Sequence, residues 1–316
     1  MRAIVYRDFG SADVLKTEEV DKPTPGDTEV LVAVRAAAVN FLDWAMVRGK
    51  PAFIRLVLGV RKPKRLGIDM AGRVEAVGRS VTRFKPGDDV FGSARGAFAE
   101  YVCAPESALS IKPPNVTFEQ AAGVLVAGVT ALQGIRNHGN VQRGQRVLVN
   151  GASGGIGTFA VQIAKSLGAD VTGVCSTRNV DLVRSLGADH VIDYSRDDFT
   201  RRAERYDVVF DMVGNHSSSA CRRVLTRNGR YIVAGGPPFR GIGLWALTRL
   251  TKPKQIAYVA RPTPTDLGVL GELMASGRIT PVVDRTYPLE ETSEAIRHVA
   301  AGHTRGKVVI AVSSAT

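Results

Sequence analysis

Apolar and polar positions alternate with a period of two through RAIVYRDF (2–9), EVLVAVRAAAVN (29–40), DMAGRVEAVG (69–78) and GAFAEYVCAP (96–105), with turn formers such as KPGDDVFG between them. Successive strand side chains point to opposite faces, so this first third predicts a β-rich unit. From about Val116 the rhythm changes. An apolar helix spanning Ala121 to Ile135 leads into the strand RVLVN, the helix TFAVQIAKSLGA, the strand DVTGVCS, the helix NVDLVRSLGA and the short strand HVIDY. The series continues through the strand YDVVFDMVG, a helix around HSSSACRRVL, the strands GRYIVAGG and QIAYVA, and the helix DLGVLGELMASG. Strands spaced by helices predict a parallel sheet covered on both faces. TPVVDRTYPL, TSEAIRHVAAG and GKVVIAV then return to the first style and are expected to rejoin the first unit.

A chain of 316 residues is long enough for two cores and a cleft. Its 44% hydrophobic and 23% charged residues are ordinary for a globular protein, and no run is long and pure enough to span a membrane. The N-terminus MRAIVYRDFG lacks the features of a secretion signal, so a cytoplasmic location is expected. Cys103, Cys175 and Cys221 are far apart in sequence, which fits a reducing compartment and buried thiols better than a metal site. A net charge of +12 raises the question of a polyanionic partner. The basic residues are spread along the chain without an aromatic RNA-binding signature, which argues against nucleic acid.

The strongest chemical signal is VLVNGASGGIGTFAVQIAKSLGA. Here the strand ending at Asn150 runs through Gly151, Ala152, Ser153, Gly154, Gly155, Ile156 and Gly157 directly into a helix. Glycines allow a tight turn and bring bare backbone against a pyrophosphate, while the helix start offers unpaired N–H groups and a positive dipole end. Alanine stands at the first position of the G-x-G-x-x-G pattern, and the strand-to-helix context makes up for it. About 20 residues further on, an NAD site places a carboxylate on the ribose 2′-hydroxyl. The sequence instead has Cys175, Ser176, Thr177, Arg178 and Asn179, and Ser176 with Arg178 can donate to a 2′-phosphate, which favours NADPH.

These motifs, with AAAVNFLDWAMVRG around Asn40, GIDMAGRVEAVGRSVTRFKPGDDVFG from Gly67, AGVTAL from Ala127, LGADHVIDY from Leu186 and GHTRGKVVI from Gly302, resemble the medium-chain dehydrogenase/reductase superfamily, in its zinc-independent quinone oxidoreductase branch. The resemblance covers nearly the whole chain. It implies an α/β fold: a Rossmann doubly wound parallel sheet at 116–278, plus a GroES-like β-rich catalytic domain at 1–115 completed by 279–316. It also implies nicotinamide in the cleft and a homodimer. Zinc members of the superfamily carry G-H-E-x-x-G and an earlier C-x-x-D. Here Ile68 stands in place of the ligand histidine and Asn40 in place of the ligand cysteine, and neither is a serviceable zinc ligand, so no metal is expected. The five histidines show no ligand spacing.

Without a metal to acidify an alcohol, an acceptor that is already electrophilic suits the site. Quinones and α,β-unsaturated carbonyl compounds take hydride into a conjugated system and need only hydrogen bonds or water for the developing charge. By resemblance Asn40 and Thr130 position nicotinamide or substrate, and Asp43 and Trp44 line the pocket; Asp43 reads equally well as a helix cap. Ser153, Gly154, Gly155, Ile156 and Gly157 are the expected phosphate cradle. Tyr194 resembles the family tyrosine near the adenosine ribose phosphate, with a strand-end aromatic as its other reading. Two apolar segments, Pro51 to Arg65 and Pro237 to Lys254 with Leu244, Trp245 and Leu247, read equally as a lipophilic lid or a dimer contact. Competing functions are an enoyl-thioester or alkenal reductase and a non-catalytic NADPH- or RNA-binding regulator.

Overall fold

The computed structural model describes residues 1–49, 65–234 and 254–312. Apart from Arg65 and Lys254, the two candidate lid segments, including Leu244, Trp245 and Leu247, lie outside the described residues. The chain divides into two units: Met1–Val126 with Pro262–Thr316, and Ala127–Arg261. The division therefore falls inside the expected 116–278 bounds at both ends.

In the first unit β1 (Arg2–Val5) pairs antiparallel with β2 (Lys16–Glu19). A seven-stranded sheet is built around β3 (Glu29–Val39), which is flanked by β4 (Asp69–Val77), by β6 (Tyr101–Pro105) and by β15 (Lys307–Ala311). The sheet continues through β4 to β5 (Asp89–Ser93) and β7 (Leu109–Ile111), and through β15 to β14 (Val283–Pro288). The central strand is apolar almost throughout. Its run Ala36–Ala37–Ala38 presents only methyl groups where β15 and β4 pair on either side. The tail does rejoin the first unit, through the antiparallel pairing of β15 with β3. The core combines Val30, Val32, Val34, Met70, Val74 and Phe98 with Val308 and Ile310, all nearly inaccessible. The helix Pro264–Ala275 packs in this unit too, with Gly271 facing Ser110 and Phe91, although its position in the sequence favoured the alternating series.

The second unit is a six-stranded parallel sheet in the order β10-β9-β8-β11-β12-β13, with β8 (Arg146–Asn150), β9 (Asp170–Cys175), β10 (His190–Asp193), β11 (Tyr206–Asp211), β12 (Leu225–Ala234) and β13 (Lys254–Tyr258). This is the expected Rossmann arrangement. The strands are nearly continuous apolar runs because helices cover both faces. The order reverses between β8 and β11, and the loop leaving the carboxyl end of β8 at that switch point is the glycine-rich turn. The strand expected over 2–9 is four residues long, and its partner KTEE was not anticipated because all four of its side chains are polar or charged. KPGDDVFG splits into a turn and the start of β5.

Candidate active site

The turn residues Gly151, Ala152, Ser153 and Gly154 connect β8 to the helix Gly155–Ser166. Gly151 has φ +86°, a left-handed conformation that costs a side-chain-bearing residue strain. At Gly157 a Cβ would lie 2.0 Å from the Gly151 carbonyl oxygen and 2.8 Å from Ala152 Cα, so only glycine lets the helix start against the turn. At Gly154 the nearest atom is 3.4 Å away, and no side chain caps this helix. Its first amides thus keep their hydrogens for an external acceptor, the arrangement that receives a phosphate.

Below the turn, Asn150 donates from Nδ2 to Asp211 Oδ1 at 2.8 Å, and Tyr231 donates its hydroxyl to Asp211 Oδ2 at 2.7 Å. The amides of Val213 and Gly214 also reach Asp211 Oδ1, at 3.0 and 2.9 Å. Burial and the Asp211 carboxylate push the Tyr231 phenol far above its ordinary range. This network ties the ends of β8, β11 and β12 together and holds the take-off point of the turn rigid.

At the end of β9, Ser176 is half-buried and precedes the short turn of helix Thr177–Asn179, in which Arg178 is exposed. Thr177 Oγ donates to Asp193 Oδ2 at 2.5 Å, and Ser195 Oγ donates to Asp193 Oδ1 at 2.7 Å. These bonds satisfy the nearest carboxylate, which sits on β10 rather than at the end of β9. Tyr194 donates its backbone N–H to Cys175 O at 3.0 Å, and its ring is mostly exposed. Asn179 is buried and joins Ser153 to Ser176, an arrangement the sequence reading missed. Asparagine next to an arginine in a polar turn gave no sign that it pointed inward.

Thr130 lies in the helix Leu125–Leu132 and is nearly buried, and its carbonyl accepts from the Tyr258 hydroxyl. A Cβ at Gly134 would meet the Phe210 ring at 2.3 Å and the Tyr258 hydroxyl at 2.5 Å. One helical turn past Thr130, glycine is therefore what allows Tyr258 to reach in.

The first unit carries a separate buried polar cluster. Asn40 precedes the helix Phe41–Arg48, and Asp43 accepts the Asn40 backbone N–H at 2.7 Å, so Asp43 does act as a helix cap. Trp44 lies on the same helix, half-buried, with the Arg48 guanidinium 4.9 Å from its ring centre. Lys307 donates from Nζ to Asn40 Oδ1 at 2.6 Å and stands 3.8 Å from Asp69 Oδ2, which also accepts the Val126 amide at 3.2 Å. Burial drives the Asp43 carboxyl up to about 7, with the Asp69 charge adding to the rise and the Asn40 amide and Lys307 opposing it. Burial likewise raises Asp69 and lowers Lys307, moving both toward neutrality. Asp69 and Lys307 lie inside motifs whose sequence gives neither of them a role; the one signal is a lysine opening an otherwise apolar strand.

Two family models match the chain: one described as an alcohol dehydrogenase GroES-like domain over 26–115, the other as a zinc-binding dehydrogenase over 186–310. The chloroplastic quinone-oxidoreductase QR1 of Triphysaria versicolor is 34% identical over 98% of both chains. The chloroplastic NADPH-dependent alkenal/one oxidoreductase of Arabidopsis thaliana is 33% identical over 98% of this chain and 79% of its own length. Among solved structures, the quinone oxidoreductase of Coxiella burnetii superposes with a TM-score of 0.89 at 28% identity, covering 99% of each chain.

Proposed function

Since this chain belongs to the medium-chain dehydrogenase/reductase superfamily, in its quinone oxidoreductase branch, we propose that it is a zinc-independent oxidoreductase that uses NADPH to reduce quinones or α,β-unsaturated carbonyl compounds. The observation that carries this reading is the uncapped helix start after β8 beside a β9 end that bears Ser176 and Arg178 and no carboxylate. Bare amides suit the pyrophosphate, and the serine hydroxyl and guanidinium suit the 2′-phosphate. NADPH, when bound, supplies the hydride.

Zinc does not fit, although one matching family model is described by it. At the two positions that matter stand an amide and an isoleucine, and the Asn40 amide oxygen already accepts a hydrogen bond from the buried Lys307 Nζ. Neither a thiolate nor an imidazole is offered where zinc would need them. In the proposed roles Asn40 and Thr130 orient nicotinamide or substrate, Asp43 fixes the backbone of Asn40, and Ser153 through Gly157 with Ser176, Arg178 and Tyr194 hold the cofactor. The GroES-like unit is proposed as the catalytic domain, and the active form as a homodimer in a reducing, cytoplasmic setting, which suits three free cysteines.

The test is NADPH and NADH oxidation by the purified protein against quinones, enones and primary alcohols, with and without a chelator. Turnover with conjugated acceptors, a higher kcat/KM for NADPH and indifference to the chelator are expected. Zinc-dependent alcohol oxidation would overturn the assignment.

A further inference from the structure

Asn179 sits between two hydroxyls that come from different elements. Its side-chain nitrogen donates to Ser153 Oγ at 3.0 Å, in the phosphate turn, and to Ser176 Oγ at 3.1 Å, at the end of β9. The residue is 5% exposed, and both amide hydrogens are used. Its Oδ1 is buried and accepts no hydrogen bond among the described residues. A fold that minimised only its own free energy would satisfy that oxygen. Here the amide is held with its donor end toward the serines.

The consequence lies in the hydroxyl protons. A serine hydroxyl has one hydrogen to give and lone pairs to receive. Receiving from Asn179, each hydroxyl has its own O–H turned away from the amide, and among the described residues neither O–H is given an acceptor. Two serines are thereby set as donors at the place where the cofactor's phosphate groups are expected. An amide oxygen in the same place would attract both O–H groups inward and present lone pairs to an anion.

We propose that Asn179 is a positioning residue for cofactor choice: it sets Ser153 and Ser176 as paired hydrogen-bond donors and so favours the 2′-phosphate of NADPH over the 2′-hydroxyl of NADH. This rests on the reading that Ser176 and Arg178 meet the 2′-phosphate. It adds a residue that need not touch the cofactor, because its side chain is buried beneath the two that would.

The experiment measures dissociation constants for NADPH and NADH by fluorescence titration on the full-length protein and on Asn179→Ala, Asn179→Asp and Arg178→Ala. Asn179→Asp keeps size and shape while replacing the donor with a charged acceptor, and Asn179→Ala, which adds no charge, reads the loss of the donor alone. Asn179→Asp is expected to weaken NADPH on the order of tenfold or more, the scale of one hydrogen bond to a charged group, and NADH clearly less, because both cofactors share the turn that carries Ser153 and only NADPH has the phosphate that Ser176 meets. Asn179→Ala, which frees the hydroxyls to rotate, is expected to shift the NADPH:NADH ratio in the same direction by less. Retained NADH binding reports an intact fold in each variant. Equal weakening of both cofactors would show a merely structural role and overturn the proposal, as would an unchanged ratio in Asn179→Asp. The Arg178→Ala arm separates the two readings. If it leaves the ratio unchanged, the 2′-phosphate assignment itself fails; if it lowers the ratio while the Asn179 variants do not, only the role of Asn179 fails.

Discussion

At the scale of single residues, the buried cluster of Asn40, Asp43, Asp69 and Lys307 was the least legible part of the chain. Lys307 and Asn40 are 267 positions apart, and a partnership of that kind leaves no periodic trace in sequence. Asn40 and Asp43 were legible only through a motif, and the reading of Asp43 as a helix cap needed the bond to the Asn40 amide to establish it. The cluster has a pH consequence. Asp43 titrates at about 7 in the fold against 3.8 as an ordinary aspartate, so between those values the folded protein holds a proton that the unfolded chain has released. Stability therefore declines with rising pH across that window and is fully reduced above pH 7, by on the order of 4 kcal/mol for this group. Asp43→Asn removes the titration. Denaturant unfolding of both proteins from pH 4 to pH 8 should show the wild type losing ground steadily to the variant up to about pH 7. A difference that stays constant with pH would mean Asp43 is ionised throughout.

At the scale of elements, the second unit was readable because its central strands β8, β9 and β11 are short, almost wholly buried apolar runs, and the helix Gly155–Ser166 between two of them is twice as long and opens on glycines, so length and flanking turn residues separate strand from helix. Where burial is weak the reading failed, since KTEE is largely exposed and is a strand by its pairing with β1; around HSSSACRRVL only the boundary was missed, because the apolar Val224 and Leu225 fit a helix end and a strand start equally well, and Leu225 opens β12. The glycine pattern of the phosphate turn was legible as a motif, but the structure separates its members by function. Gly157→Ala would force a methyl group to 2.0 Å from a backbone oxygen, so the turn itself must shift. Overpacking of this kind costs about 1–3 kcal/mol, and a melting temperature several degrees lower is expected, with weaker binding of both cofactors. Gly154→Ala meets nothing closer than 3.4 Å and should melt close to the wild type. Its methyl group stands where bare backbone would approach the pyrophosphate, so its NADPH dissociation constant should still rise about tenfold or more. Equal melting temperatures for the two variants would show that the helix start is not as tightly fitted as the distances indicate.

At the scale of the whole molecule, two features read from composition and order, a divided chain and a strong positive charge, bear on cofactor binding in different ways. The return of the C-terminal segment to the first unit was visible because GKVVIAV reads as a buried strand that the central β3, with its own small Ala36–Ala37–Ala38 run, can accept. The exact division was not visible. The helix Pro264–Ala275 has twelve residues, the same length as the helix Gly155–Ser166 of the parallel sheet, and only its packing against β5 and β7 assigns it. The net charge of +12 needs no polyanionic macromolecule to be useful, since it raises the local concentration of any small anion, and NADPH carries more negative charge than NADH. A ligand that binds only the folded state stabilises it by RT ln(1 + [L]/Kd), about 2.7 kcal/mol at a hundredfold excess over Kd. For a chain of this size, with an unfolding entropy of about 2 cal/mol/K per residue, that corresponds to a melting shift of roughly 4 °C. NADPH should produce such a shift, and NADH at the same concentration a smaller one. Raising the ionic strength should narrow the gap between them, because the advantage of the extra phosphate is partly screened whereas the contacts common to both cofactors are unchanged. A gap that persists unchanged at high salt would locate the discrimination entirely in the close hydrogen bonds of Ser176 and Arg178 and leave the long-range charge without a part in it.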